Sequence, residues 1–434
     1  MIDLLVIPAM MALSIGLRLL TGTWLHPSTV FAAAWTVFLS TTAILLPGVN
    51  SYTRASLFIL IASLIAALAF PLAVSKRDIR PHKLIASPWL SRFAVSGFFT
   101  GALAALINVE SNGRSFVAAL SADSLISSSQ AMTAARYNGS LISSPLATLL
   151  LAITYGAAMA APFAATSKGR LRNALILAAP SAGGAAYALL TTARAGLLIA
   201  ASLSLASWII VKAVRDGGRP RISLKSMTPL IVSGAAVAVF FLITAANRYG
   251  GVSYVDRDTL TRTVGIYAGA STPALGTWLG TPTAPEWGVN TFSGISSFLV
   301  QPGTLSVSEF VDLGAHVSSN VFTAFRPLVE DYTEPGALLF VGAISLLAAY
   351  EYRRAVLKGR VAASVLVSAW LSFVLFSQSA SLYTFTNVVV GVLIAGVLIC
   401  RLARFEPTDQ GAEPAADHKY DLLANDAKGQ SRAR

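Results

Sequence analysis

The sequence predicts an all-α polytopic membrane protein with about 11 transmembrane helices. Of its 434 residues, 55% are hydrophobic and only 12% are charged, and the mean hydropathy is +0.66. Apolar runs of roughly 17–25 residues recur along the chain, and a helix needs this length to cross a bilayer. A soluble protein of this size would show amphipathic periods instead, so the composition excludes an ordinary soluble enzyme.

The predicted spans follow one another closely, except for an insertion of 88 residues at 247–334. Pro180, Gly183 and Gly184 in the sixth span predict a kink or a close helix–helix contact. Residues 1–404, including the insertion, form the predicted transmembrane domain, and 405–434 read as a disordered cytoplasmic tail. The spans cover 3–20, 29–47, 55–75, 90–108, 142–166, 172–191, 194–214, 226–246, 335–352, 361–378 and 384–403.

Lysine placement predicts the orientation of these spans. All eight lysines fall on one side of the predicted membrane, for example Lys76 and Lys83 between the third and fourth spans. Because lysine-rich loops mark the cytoplasm, the amino terminus is expected outside and the carboxyl terminus inside. Most of the net charge of +12 then lies beside anionic lipid at the inner face, so nucleic acid is not an expected partner.

Eight arginines and no lysine remain on the predicted external side. Guanidinium groups bind phosphate through paired, directional hydrogen bonds, so an anionic ligand such as a diphosphate is expected. The alternative is a solvated charge or an ion pair with Asp256, Asp258, Glu330 or Asp331. Arg194 falls at the edge of the apolar core, where an unpaired charge is costly, and therefore favours function. The eight are Arg54, Arg114, Arg136, Arg194, Arg248, Arg257, Arg262 and Arg326.

The insertion predicts a folded external cap, since it carries seven tryptophans and phenylalanines among many glycines and prolines. Its stretches 263–279 and 289–300 are apolar enough to lie on the membrane but too short to span it. His316 is a candidate base for an attacking hydroxyl, with a structural role as the alternative. Glu330 and Asp331 are rival bases, and each could face Arg326 across one helical turn.

No metal and no cofactor are expected. Asp256-Arg257-Asp258 resembles the acidic triplet that holds a metal in many soluble glycosyltransferases, but it lies on the predicted external face, where nucleotide sugars are not normally supplied. Cys400 is the only cysteine, which excludes an intrachain disulfide. The sequence contains no Walker-type phosphate loop, Gly-rich dinucleotide fingerprint or Gly-x-Ser-x-Gly elbow.

Three segments resemble motifs of the O-antigen polymerases, also called oligosaccharide repeat-unit polymerases. Residues 320–336 contain Thr-Ala, an arginine and an acidic–aromatic pair ahead of a glycine and a helix, although three residues separate the pair from Gly336. Residues 191–196, Thr-Thr-Ala-Arg-Ala-Gly, are similar to the segment that opens a middle helix in this family. Residues 287–292 contain the Gly-x-x-Thr-Phe piece of its large external loop.

The resemblance implies a plasma (inner) membrane glycosyltransferase that joins polyprenyl-diphosphate-linked oligosaccharide repeat units into O-antigen, capsule or exopolysaccharide. Arg194 and Arg326 would be the leading diphosphate ligands, with Arg248 and Arg262 next. The base would be His316 or Asp331, with Glu330 as the rival. Besides membrane lipid, the family implies a chain-length regulator and a flippase as partners.

Three alternatives stay open. An O-antigen ligase-like enzyme would share the architecture and the donor, and His316 and Asn320 loosely echo its histidine–asparagine pair. A transporter or flippase for the same lipid-linked glycan would place basic residues along a central cavity, yet the predicted helix interiors contain almost no charge. A non-enzymatic scaffold would use the aromatic cap as a partner-binding surface.

Overall fold

A computed structural model shows a bundle of apolar helices with a small folded cap. At residues 2–4, 257–262 and 296, the structure describes the backbone but not the side chains. Among the described helices, seven are long and apolar enough to cross a membrane, and three shorter apolar helices accompany them. The fold is therefore that of an α-helical membrane protein. The structure describes residues 2–50, 52–72, 80–113, 127, 130–135, 144–165, 169–191, 195–218, 239–240, 242–243, 257–279, 284–296, 310–315 and 317–408.

The helices of the bundle and the cap are numbered in chain order. Those of the first half are α1 Ile2–Thr21, α2 Pro27–Leu45, α3 Thr53–Ala67, α4 Pro88–Ser111, α5 Pro145–Ala164, α6 Arg170–Thr191 and α7 Ala195–Arg215. Those of the second half are α8 Arg257–Gly269, α9 Ser271–Trp278, α10 Ser293–Ser296, α11 Phe325–Lys358, α12 Val361–Phe376 and α13 Thr386–Leu402. Short 3-10 turns cover Phe70–Leu72 and Leu382–Thr384.

Ten of the predicted spans overlap a described helix. The other, 226–246, falls outside the described residues apart from 239–240 and 242–243, which are helical. Several helix starts follow from local chemistry, since Pro27, Pro88 and Pro145 occupy first-turn positions where a missing N–H costs nothing. At α4, the Ser87 side chain also caps the helix by accepting from the N–H of Trp89.

Glycines set how closely α6 approaches its neighbours. A methyl group on Gly101 of α4 would lie 2.6 Å from the carbonyl of Gly183, and one on Gly183 would collide with the carbonyl oxygen of Gly97. On the other side, Gly184 packs against the backbone of Gly196 in α7. The predicted close contact at Gly183 and Gly184 is confirmed, because only residues without a side chain let these backbones meet.

Helix α11 contains a break at Thr333, where φ is 63° and ψ is 173°. Pro335 has no N–H to donate to the carbonyl of Asp331, and its ring would clash with that carbonyl in a continuous helix. The break separates a short helix, 325–332, from the apolar segment that follows. The apolar segment after residue 333 coincides with the predicted span 335–352.

Strands Ala403–Pro407 (β4) and His82–Ala86 (β1) pair antiparallel, with Leu84 opposite Phe405. The prediction of a disordered tail from residue 405 is therefore wrong for 405–407. Phe405 is a partly buried hydrophobic residue packed on the main core, which gives this segment a reason to order. Residues 409–434 of the predicted tail lie outside the described residues. A second small sheet joins Val311–Asp312 (β2) to Ser318–Ser319 (β3).

The described parts of the insertion fold against the bundle. Helix α8 packs on α2, where the Thr42 hydroxyl donates to the carbonyl of Gly269 at 3.0 Å. Helix α9 packs on α3, with Gly276 in contact with Tyr52. The apolar stretch 263–279 thus lies on other helices, and this packing brings the end of α9 close to the start of α11.

Candidate functional site

The structure places only part of the predicted site. Arg194, Arg248 and His316 lie outside the described residues, and so do Arg114 and Arg136. Arg257 and Arg262 belong to α8, but their side chains are not described. The predicted site residues with described side chains are Arg326, Glu330 and Asp331, which are all on the short helix before the break.

Arg326 and Glu330 form an ion pair across one helical turn. The guanidinium Nε of Arg326 donates to Oε1 of Glu330 at 2.7 Å, and both side chains are partly buried. This confirms that Glu330 can face Arg326. The pair is also the ion pair that the sequence analysis gave as the alternative to a diphosphate ligand for this arginine. Among the described residues, the ion pairs of Arg326 involve Glu330 alone, and the bond is made through Nε.

Two aromatic rings hold the Arg326 guanidinium in place. Its central carbon lies 4.1 Å from the ring centre of Phe322 and 5.4 Å from that of Trp278. Such contacts orient a guanidinium over the ring face and leave its N–H donors unused. Phe322 precedes α11 and Trp278 ends α9, so the folded cap positions Arg326. No local pattern in the sequence indicates that Phe322 and Trp278 meet at this arginine.

The Glu330 carboxyl lies in an environment suited to proton transfer. Burial raises the pKa of Glu330 above its usual value, while the hydrogen bond and the charge of Arg326 oppose this shift. The nearby carboxylates of Glu286 and Asp331 add to the increase in the pKa. A carboxylate base is most effective when its pKa lies close to the working pH, so the direction of the shift favours this role.

Asp331 is fully buried and holds a turn of the insertion. Its Oδ1 accepts from the backbone N–H of Asn290 at 3.0 Å and from the Asn290 side-chain amide at 3.2 Å. Its Oδ2 accepts from the backbone N–H of Thr291 at 2.5 Å. These bonds compensate a buried charge and occupy both oxygens. The geometry therefore favours Glu330 over Asp331 as the base, and the Asp331 carboxylate is directed to the turn instead of to Arg326.

The helix break supplies further bonds to the same turn. In a continuous helix, the carbonyls of Glu330 and Asp331 would accept from the N–H groups of residues 334 and 335, but Pro335 has no N–H. At the break, the carbonyl of Glu330 accepts from the N–H of Glu286 at 3.1 Å, and that of Asp331 from the N–H of Trp287 at 3.2 Å. Two of the motif segments, 287–292 and 320–336, are thus bound to each other.

The described charges around the break are mostly acidic. Segments 284–296 and 317–340 contain one arginine, Arg326, together with Glu286, Glu330, Asp331 and Glu334. Arg54 reaches this region from α3, but its terminal nitrogen pairs with Glu334 at 2.6 Å on the surface. Of the predicted external arginines, Arg54 and Arg326 have described side chains, and each pairs with a glutamate, which is the alternative weighed for single arginines of this set.

Comparisons with protein-family models, with curated proteins and with solved structures find no match to this chain. Among the described residues, no group of three or more histidine, cysteine or acidic side chains is arranged to hold a metal ion. The side chains of Asp256 and Asp258 lie outside that set. The family resemblance and the absence of a metal both stay predictions from the residues quoted above.

Proposed function

We propose that the protein is a membrane-bound glycosyltransferase that polymerises polyprenyl-diphosphate-linked oligosaccharide repeat units at the external face of the plasma membrane. The observation that carries the proposal is the Arg326–Glu330 pair, set between cap and bundle directly ahead of an apolar membrane segment. Eleven spans, an external amino terminus and a cytoplasmic carboxyl terminus complete the proposed architecture, and the distribution of lysines supports this orientation.

Glu330 acts as the general base in this mechanism. Its carboxylate takes the proton from a sugar hydroxyl of the incoming repeat unit, whose oxygen then bonds to the anomeric carbon of the growing glycan. The bond between that carbon and the diphosphate oxygen breaks, and the electron pair leaves with the polyprenyl diphosphate. Arg326 holds the carboxylate through its Nε and directs its remaining donors towards the departing oxygen.

The leaving diphosphate needs more positive charge than the described residues supply. Arg326 is outnumbered by the acidic groups around the break, so the proposal assigns further neutralisation to Arg194, Arg248 and Arg262. Oriented cations at the developing charge lower the barrier because they need no reorganisation during the reaction. His316 is the alternative base, and it is favoured if Glu330→Gln still supports polymer formation.

Transport is the less favoured function for the same lipid-linked glycan. Among the described residues, the buried titratable acids and histidines are His26, His82, Asp331 and Glu351. Each lies near the end of a helix or in a connection, so none marks a charged path through the middle of the bundle. The described interior therefore fits a site at one face better than a channel.

Deletion of the gene in its host, followed by analysis of surface glycan length, tests the proposal. Complementation with Arg326→Ala or Glu330→Gln should leave single repeat units without polymer, while Glu334→Gln, at the exposed ion pair, should restore the polymer. Each variant is compared at equal membrane abundance. Loss of all glycan from its final acceptor would indicate ligation instead, and unchanged glycan in the deletion strain would contradict both enzymes.

A further inference from the structure

Residues 287–295, here the apolar turn, present four large apolar side chains at the surface. Trp287 is 80% exposed, Val289 50%, Ile295 47% and Phe292 41%. Contiguous exposed apolar groups of this kind mark a surface that meets another apolar phase. The polar groups of Asn290 and Thr291 are directed inward: both backbone N–H groups and the Asn290 amide donate to the Asp331 carboxylate, and the Thr291 hydroxyl donates to the Pro327 carbonyl.

The backbone of the apolar turn is held in an unfavourable conformation that projects Trp287 outward. The φ of Trp287 is 50°, a left-handed value that residues with a side chain rarely adopt, and Gly288 follows at 95°. Such conformations persist only where the surroundings fix them. Here the Trp287 N–H donates to the Asp331 carbonyl. The Asp331 carboxylate accepts from the N–H groups of Asn290 and Thr291.

The apolar turn continues the exposed apolar surface of two membrane segments. The ring of Phe292 lies 6.3 Å from that of Phe340 in α11, one residue beyond the exposed Leu339. The backbone of Gly294 packs against the segment that leads into α13, whose Leu393 is also exposed. Because the turn packs beside two apolar helices that expose these leucines, it adds to an apolar surface that we expect to face lipid.

We propose that the apolar turn inserts into the interfacial region of the outer leaflet, with the Trp287 indole at the depth of the lipid headgroups. Tryptophan is favoured at this depth because its ring is apolar and its N–H can bond to polar groups. Val289, Phe292 and Ile295 surround it with hydrocarbon, whereas a ring that stacks on a sugar needs polar neighbours to bind the hydroxyls. The bilayer is therefore the occupant that the surface fits.

The anchor has a consequence that rests on the proposed function. Asp331 binds the apolar turn and lies next to Glu330, so anchoring the turn fixes the distance of the Glu330 carboxylate from the membrane surface. A lipid-linked diphosphate lies at that same level. The anchor itself does not depend on the enzymatic proposal.

Site-specific fluorescence in proteoliposomes tests the anchor without reference to activity. Trp287→Cys in a Cys400→Ser background carries an environment-sensitive dye. Ser318→Cys, a nearly isosteric substitution at an exposed position of β3, is the matched control. The quenchers are lipids with a nitroxide on the headgroup or the upper acyl chain, and aqueous iodide. We expect several-fold stronger lipid quenching and weaker iodide quenching at position 287 than at position 318.

A second readout uses the native indole and avoids the cysteine substitution. Brominated lipids should quench wild-type fluorescence more than that of Trp287→Phe, and the difference should vanish in detergent without brominated lipid. Equal iodide quenching at positions 287 and 318, together with no difference in bromine quenching, would overturn the anchor. Protection of Trp287 by added glycan without any lipid quenching would also overturn it and would indicate a sugar platform.

Discussion

The backbone N–H of Thr291 donates to Oδ2 of Asp331 at 2.5 Å, although 40 residues separate them in the sequence. Asp331 is fully buried, and the same carboxylate binds Asn290. The turn that it holds is also bound to carbonyls at the break in α11. Two distant segments thus form one unit that supports Arg326 and Glu330.

Substitution Asp331→Ala should destabilise this unit. It leaves the buried N–H of Thr291 and the partly buried N–H of Asn290 without acceptors, at a cost on the order of 3 kcal/mol. Thermal unfolding of the purified protein in detergent, followed by tryptophan fluorescence, should show a clearly lower Tm. Glu334→Gln is the control, since an exposed ion pair contributes about 1 kcal/mol or less. An unchanged Tm in Asp331→Ala would show that the carboxylate does not hold the turn.

The acidic limb of the activity profile should depend on Arg326. A base must be deprotonated, so activity should fall as the pH drops through the raised pKa of Glu330. Arg326 lowers the pKa of this carboxyl, and Arg326→Gln should therefore move the acidic limb to higher pH. Arg54→Gln, which removes the partner of Glu334, should leave the limb in place. Movement to lower pH, or equal movement in both variants, contradicts Glu330 as the base.

Substitution Gly183→Ala should separate α6 from α4. The added methyl group meets the backbone of Gly97, which cannot move as a side chain could, and overpacking of this kind costs about 1–3 kcal/mol. Gly16→Ala in α1 is the control, because a methyl group there meets nothing within 4 Å. Thermal unfolding should show a loss of stability for Gly183→Ala alone. Equal Tm values for both variants would mean that the helices do not meet at these glycines.

Stability should decrease between neutral and acidic pH because of His26. Burial lowers the pKa of His26 from 6.5 to about 4, so in this range the unfolded chain binds a proton that the folded protein excludes. The free energy of unfolding should fall by at most about 1.4 kcal/mol per pH unit across the window. Measurement of Tm against pH gives this slope directly.

His26→Asn provides the matched variant for the pH slope. Nδ1 of His26 accepts from the N–H of Ser28 at the start of α2, and asparagine can cap the helix in the same way without titrating. The variant should lose most of the slope between pH 6.5 and about pH 4. Burial also lowers the pKa of His82, which should contribute to the slope that remains, while the raised pKa of Glu330 opposes it. An identical slope in His26→Asn would exclude His26 as its source.

The membrane helices could be predicted because their signal is local. The length of each apolar run alone indicates whether it can cross a bilayer, and the close packing at Gly183 follows from small residues within one span. The pairing of Arg326 with Glu330 was also predictable, since residues four apart share a helix face. These features require no knowledge of the rest of the chain.

The contacts between distant segments could not be read from the sequence. Binding of Asn290 and Thr291 to Asp331 depends on how the insertion folds back over the break, and no periodic pattern encodes it. Pro335 does signal that a carbonyl is freed, but it does not identify Trp287 as the donor. The strand at 403–407 was missed for the same reason, because its partner lies more than 300 residues earlier.

Polymerisation by the purified protein tests the central claim most directly. Wild-type protein, Glu330→Gln and Glu334→Gln are reconstituted in proteoliposomes with polyprenyl-diphosphate-linked repeat units, and product length is measured by gel or mass spectrometry. Wild type and Glu334→Gln should yield a ladder of multiples of the repeat unit, while folded Glu330→Gln should leave single units. A ladder of the same length and rate from Glu330→Gln, or no ladder from correctly folded wild-type protein, would contradict the account.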